Sequence, residues 1–259
     1  MQGLREAQSS ELRVQSGNKD ALLIVLHSAL CVSFHAALTQ RPIRLTMETL
    51  IIGAGGHGKV VLDILRAGTK YRPIGFVDAD PKLTNTHVGG LPVFGAIHLL
   101  GRLKIQHRLH AAIIAIGDNR TRAGYVKNVE DHDLELINAI HPTASVSTTA
   151  LLGRNIVVAA HAVICTEAQI EDLAIINTAS IVDHECTIGR AAHICPGANL
   201  AGRVRIGAGA FIGMGANIIQ CRNVGENAIV GAGAVVLQDV PAGATVVGVP
   251  AHIIKPGNG

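Results

Sequence analysis

The 259-residue chain has no tryptophan, two tyrosines and four phenylalanines. Most globular interiors take much of their buried area from aromatic rings, so this one must be closed by aliphatic side chains. Charge of one sign is not gathered anywhere: 22 Lys and Arg against 19 Asp and Glu leave a net +3 spread along the chain. Without a basic block, nucleic acid is not an expected partner. Cysteine is sparse and odd in number, five scattered residues, which argues against a disulfide framework and for a reducing, cytoplasmic setting. A clean membrane span is missing too. The longest apolar stretch, Ala21 to Leu38, is interrupted by His27, Ser28, Ser33 and His35, so stable membrane insertion is not expected. Residues 1–46 read as an N-terminal extension, disordered or not native, because Met47 stands two residues before a well-formed strand pattern.

What the chain does have is a period. From Ile140 to Val236 an aliphatic residue falls at every sixth place, seventeen times without a slip. Four places after each, the residue is usually small, as at Ala162, Ala168, Ala174, Ser180, Cys186, Ala192 and Ala198; Ile156, Val204, Arg222 and Val240 depart from this. A fixed short period signals stacked coils. Three hexads per coil give a left-handed parallel β-helix of triangular section over residues 140–255, with roughly five to six coils rising about 4.8 Å each. The aliphatic residue points inward and the small one fits the corner. The prism is therefore full, and any chemistry must lie on its outside.

Upstream, residues 47–139 carry a different pattern. A strand over Thr49 to Ile52 runs into Gly53-Ala-Gly-Gly-His-Gly58, a helix pattern follows in Val60, Val61, Ile64 and Leu65, and a second strand over Ile74 to Val77 ends at Asp78. Strand, glycine turn, helix, strand and acidic residue form the dinucleotide fingerprint in its proper context. Further strands are expected over Ala111 to Ile116 and Leu134 to Ala139, with helices near Ala96 to Leu103 and Arg120 to Val129. That fills only one mononucleotide-binding half, a βαβαβ half-Rossmann domain, so a complete dinucleotide site is not expected.

On the prism, hexad 182–187 puts Val182 and Cys186 inward and turns Asp183, His184 and Glu185 outward around a corner. An imidazole titrates near neutrality and can take the proton an attacking nucleophile must lose. A neighbouring carboxylate would fix its tautomer and raise its basicity. His184 is thus the expected general base and Glu185 its orienting partner. Cys186 should be inert in its inward slot, while Cys165, Cys195 and Cys221 face outward without an adjacent base. None of them is therefore expected to act as a covalent nucleophile, and a transferred group would pass directly from donor to acceptor.

The run Asn177-Thr-Ala-Ser-Ile-Val-Asp-His-Glu-Cys-Thr-Ile-Gly189, with His193, Pro196-Gly-Ala and Ala201-Gly202, resembles the hexapeptide-repeat acetyltransferases. Its branch holds bacterial nucleotide-amino-sugar N-acetyltransferases of the bacillosamine and perosamine types and sialic acid O-acetyltransferases. The resemblance extends over Met47 to Lys255. It implies an acyltransferase of surface glycan biosynthesis that moves the acetyl group of acetyl-CoA to a nucleotide-linked 4-amino sugar, without a metal. It also implies a homotrimer with acetyl-CoA in the groove between neighbouring solenoids, near His193, the Gly202 backbone and Met214. The acceptor's diphosphate would lie near Gly55, Gly56 and His57, its nucleoside beside Asp78, and Gly117-Asp-Asn119 would close the site. The family often has two adjacent acidic residues after the second strand; here the order is Asp78-Ala79-Asp80. The hexads contain no inserted loop, so the N-terminal domain must present the acceptor.

The sequence also admits other readings: O-acetylation of a sialic acid, a non-catalytic nucleotide-sugar-binding assembly subunit, or a γ-type carbonic anhydrase. The last needs three histidines on zinc, and His161, His184 and His193, spaced 23 and 9 apart, do not reproduce that arrangement.

Overall fold

A computed structural model describes residues 46–257. The chain enters on β1 (Met47–Ile52), crosses by α1 (Gly56–Ala67) and returns on β2 (Tyr71–Val77). A short hairpin, β3 (His87–Val88) and β4 (Leu91–Pro92), precedes α2 (Leu100–His107) and β5 (Ala111–Ile114). Then come α3 (Asn119–Gly124), α4 (Val126–Glu130) and β6 (Glu135–Leu136). These strands form a parallel sheet in the order β2-β1-β5-β6. The chain reverses direction across the sheet between β1 and β5, the topological switch point at which such folds bind ligands.

Several expected boundaries moved. The strand expected over Leu134 to Ala139 divides into β6 and the first solenoid strand, Ala139–Ile140. The last expected helix breaks at Tyr125 into α3 and α4, and the one before it starts at Leu100 behind a single 3₁₀ turn. The β3–β4 hairpin was not expected. Two-residue strands carry no readable alternation.

From Ala139 the chain winds into a parallel β-helix. The first face stacks Ala139–Ile140, Val157–Val158, Ile175–Ile176, His193–Ile194, Phe211–Ile212, Ile229–Val230 and Thr245–Val247, and the antiparallel strand His252–Lys255 ends it. The second face runs from Ser145–Val146 to Val235–Val236 and the third from Leu151–Leu152 to Asn223–Val224. Rungs pair with the residue 18 later, for example Val163 with Ile181 and Ile181 with Asn199, until the last coil shortens the step to 16, as in Ile229 with Thr245. The inward aliphatic and small residues form one continuous core. Ile156, Val204 and Val240 break the small-residue rule yet are buried within it, so the corner tolerates a branched side chain; Arg222 alone stays half-buried. Ile140 is exposed because the first coil is the open end of the prism.

From Asn155 to Gly233 each corner turns through one residue with positive φ. The series runs Asn155, His161, Glu167, Leu173, Ala179, Glu185, Ala191, Gly197, Arg203, Gly209, Gly215, Cys221, Asn227 and Gly233, again every sixth residue. Repetition of one left-handed turn closes the triangle.

The half-Rossmann domain sits on the first face. Val157, Ala159 and Ile175 of that face share a core with Ile51, Val61 and Ile113. One prism edge, the column Asn155, Leu173, Ala191 and Gly209, forms the polar part of the junction. The Asn155 amide accepts from the Ile114 N–H (2.7 Å) and donates to the Ile114 carbonyl (3.1 Å), extending the pairing of β5 where β6 has ended.

Candidate active site

Two clefts flank the loop after β5. The first, of about 290 Å³, opens at the carboxyl ends of β1 and β5. Its floor is the glycine turn. A Cβ on Gly58 would lie 2.0 Å from the Gly53 carbonyl oxygen, so that glycine lets α1 pack against β1; a Cβ on Gly55 or Gly56 would meet nothing, because both border open space. The unsatisfied N–H groups at the amino end of α1 face this space, where an anion is favoured. Asp78 lies on the cleft wall, but its carboxylate already works inside the fold: Oδ2 accepts from Ala54 N–H (2.6 Å) and Oδ1 from Asp80 N–H (2.9 Å). Asp80 turns away and caps the next turn through Lys82 N–H. Ile97, Thr121 and Tyr125 complete the wall.

Gly117 borders both clefts. The second is wider, about 1030 Å³, and runs between the 117–120 loop and the first face at His193, Phe211 and Ile229. Asn119, expected to contact the acceptor, has its amide committed elsewhere. Its Nδ2 donates to the Gly209 and Ala210 carbonyls (2.9 and 3.2 Å), and its Oδ1 accepts from Arg122 (2.8 Å).

Two histidines that the sequence assigned to different ligands come together here. The rings of His57, on α1, and His193, on the first face, lie 6.4 Å apart, and Phe211 meets His193 edge-on at 5.3 Å. Asn177 Nδ2 donates to His193 Nε2 (3.1 Å), which leaves the ring proton on Nδ1. That nitrogen and His57 Nε2 are buried without a well-formed hydrogen bond. Burial first, and the Arg122 guanidinium second, push each imidazole down to about 4, so both are neutral at physiological pH.

His184 stands elsewhere, on the edge between the second and third faces. Its Nδ1 is 2.9 Å from Glu185 Oε2, and both side chains are about half exposed at 48%. Neighbours in sequence can meet because Glu185 occupies the left-handed corner position, φ 57°. Gly202, one coil on, lies under the ring. A Cβ there would sit 2.4 Å from His184 Nε2. Gly202 therefore makes room for the imidazole, and Nε2 takes no hydrogen bond from the described residues. Met214 is exposed on a third location, the edge between the first and second faces. A single chain thus brings Gly202 to His184 and His193 to His57, but does not bring His193 or Met214 to His184.

Residues 48–129 match the model of the PglD N-terminal domain. GDP-perosamine N-acetyltransferase of Escherichia coli O157:H7 is 32% identical over 157 residues, 60% of this chain and 70% of that protein. PerB of Caulobacter crescentus, solved with CoA and GDP-perosamine, is 44% identical over 80% of this chain and 96% of its own, with a TM-score of 0.75. The acetyltransferase domain of PglB from Neisseria gonorrhoeae, solved with acetyl coenzyme A, is 39% identical over 81% of this chain and all of that one (100%), also at 0.75. The chain belongs to the hexapeptide-repeat acetyltransferases of the perosamine and bacillosamine type.

In this acetyltransferase the cysteines offer no activated thiol among the described residues. Cys186 is buried in its inward slot, donates to the Ala201 carbonyl, and burial pushes its thiol up to about 11. Cys195 points out of the prism as expected but is covered rather than exposed, and burial takes it to about 12. Burial, then Asp183, raises Cys165. No cluster of three or more His, Cys, Asp or Glu that could hold a metal is present among the described residues, and no described helix is long and apolar enough to cross a membrane. The stretch Ala21 to Leu38 lies outside the described residues.

Sequence reasoning missed three parts of the acetyltransferase site: the Asn177–His193 pair, Asn155 and Arg122. Only the first was accessible through the 18-residue coil; Asn155 meets Ile114 of the other domain, which the coil does not predict. Asn177 follows inward Ile176, and His193 precedes inward Ile194 on the adjacent rung. Arg122 carried no signal, because a basic residue in a short helix that also carries Arg120 looks solvated.

Proposed function

We propose that the protein transfers the acetyl group of acetyl-CoA to the amino group of a nucleotide-linked 4-amino sugar, with His184 as general base. The observation that carries this is the His184–Glu185 pair, 2.9 Å apart, with Nε2 open toward solvent above Gly202. The identity to PerB, solved with CoA and GDP-perosamine, supports the substrate class.

In this reading the sugar's diphosphate lies over Gly55, Gly56 and His57 at the amino end of α1, with the nucleoside toward Asp78 and Tyr125. Gly117 directs the sugar out of the first cleft. The amine nitrogen attacks the thioester carbonyl carbon, the C–N bond forms and the C–S bond breaks. His184 Nε2 takes the proton the nitrogen loses, and the sulfur leaves as the thiol of CoA once protonated. Glu185 holds the proton on Nδ1 and stabilises the imidazolium. His184 and His193 lie on different sides of one prism, so their meeting requires a second copy. A homotrimer in which one copy supplies His184 and Gly202, and its neighbour His193 and Met214, accounts for the placement. Exposed Ile181, Phe211 and Ile229 on the prism faces are consistent with such contacts.

CoA-thiol release against UDP- and GDP-linked 4-amino sugars and sialic acids tests the reading. Turnover of a nucleotide-linked amino sugar is expected. His184→Ala should lower kcat by roughly 10²- to 10⁴-fold with an unchanged circular dichroism spectrum. Turnover of sialic acids alone would assign the chemistry to a hydroxyl instead.

A further inference from the structure

Arg122 is completely buried, at 0% exposure, in a position that neither the acetyl transfer nor the fingerprint accounts for. A buried cation is costly unless it is compensated, and no ion pair to Arg122 is present among the described residues. Nearby Asp118 instead caps α3 through Thr121 N–H. All five guanidinium N–H groups are nevertheless used, each on a neutral oxygen. Nε donates to the Leu173 carbonyl (2.8 Å) and one Nη to the Ala191 carbonyl (2.8 Å) and Asn119 Oδ1 (2.8 Å). The other Nη donates to the Ile116 and Gly117 carbonyls (2.8 and 3.1 Å).

These acceptors come from two bodies. Ile116, Gly117 and Asn119 belong to the loop that separates the two clefts. Leu173 and Ala191 are left-handed corner residues, 18 apart on one prism edge, with φ of 67° and 54°. Their carbonyls take no backbone donor among the described residues. Only a planar fork with five fixed donors serves both bodies at once; a lysine ammonium has three donors at one point.

We propose that Arg122 is a positioning residue that locks the loop dividing the two clefts to two successive coils of the prism. It thereby holds the acceptor's nucleotide site in register with the solenoid. The inference rests on the acceptor placement proposed above for the first cleft.

The test compares the parent protein with Arg122→Lys, and with Asn119→Ser as the milder change should the first fail to fold. Binding of GDP and UDP is measured by calorimetry, and KM is measured for both substrates. Fold integrity is read from circular dichroism. A folded variant should bind nucleotide about tenfold or more weakly, show a raised KM for the nucleotide sugar, and lose kcat on the order of 10²-fold through misplacement. Its KM for acetyl-CoA should stay within about twofold, a split that simple loss of folded protein would not produce. Parental nucleotide affinity and KM in a folded variant would overturn the proposal. If the parent binds nucleotide but turns over no amino sugar, the acyl-transfer reading falls while the affinity comparison still decides the clamp. A parent that binds neither nucleotide removes both.

Discussion

At the scale of single residues, the decisive relation is between a ring and a missing methyl. Gly202 has no side chain because the His184 imidazole occupies the place a Cβ would take, 2.4 Å from Nε2. Gly202→Ala leaves the backbone unstrained, since φ at 202 is not positive, but forces the half-exposed ring to swing away from Glu185. We expect kcat to fall by about 10²-fold, close to the loss expected on removing the proposed base itself, with the melting temperature nearly unchanged. Steady-state assays of the purified variant check this. The Ala201-Gly202 dipeptide was visible in the sequence, but its reason was not, because the residue it accommodates lies one full coil earlier.

At the scale of the element, the repeating unit is the corner. Fourteen successive corners, from Asn155 to Gly233, place a residue in the left-handed region, and most carry a side chain there. That conformation costs about 1–2 kcal/mol for an ordinary L-residue, and the aliphatic core and the rung hydrogen bonds offset it. Gly233 isolates the backbone cost, because a Cβ there would touch nothing and φ is 68°. Gly233→Ala should therefore destabilise the protein by about 1 kcal/mol, read as a lower denaturant midpoint at unchanged slope. Packing has the larger effect. Leu200→Ala, at a position 1% exposed in the middle of the prism, should cost roughly 2–5 kcal/mol through lost transfer energy and a cavity.

At the scale of the whole molecule, the junction between the half-Rossmann domain and the first face makes stability depend on pH. His57 and His193 are buried and pushed down to about 4 from an ordinary value near 6.5. The native state then refuses protons that the unfolded chain accepts. Stability should be full above about pH 6.5 and fall steadily as pH drops toward 4, by on the order of several kcal/mol for the pair. Melting temperatures measured across that range check the trend, and His193→Asn should flatten it. Loss of stability on raising the pH from 4 to 7 would contradict the assignment of both rings as neutral.

The six-residue period determined the solenoid, its dry interior and the outward corner at 183–185, because each hexad repeats one local geometry and needs no knowledge of distant residues. The strand, glycine turn and helix at 49–65 likewise announced a helix end suited to an anion from local chemistry alone. Only the tertiary structure decided which faces meet. His57 beside His193, Asn155 completing the pairing of β5, Asn119 withdrawn into the junction and Arg122 bridging two coils all depend on where one domain lands on the other. That docking is made by backbone carbonyls and a buried guanidinium whose partners lie 51 and 69 residues away. Backbone carbonyls are the same at every residue, so nothing in the amino-acid order marks the ones that are left free.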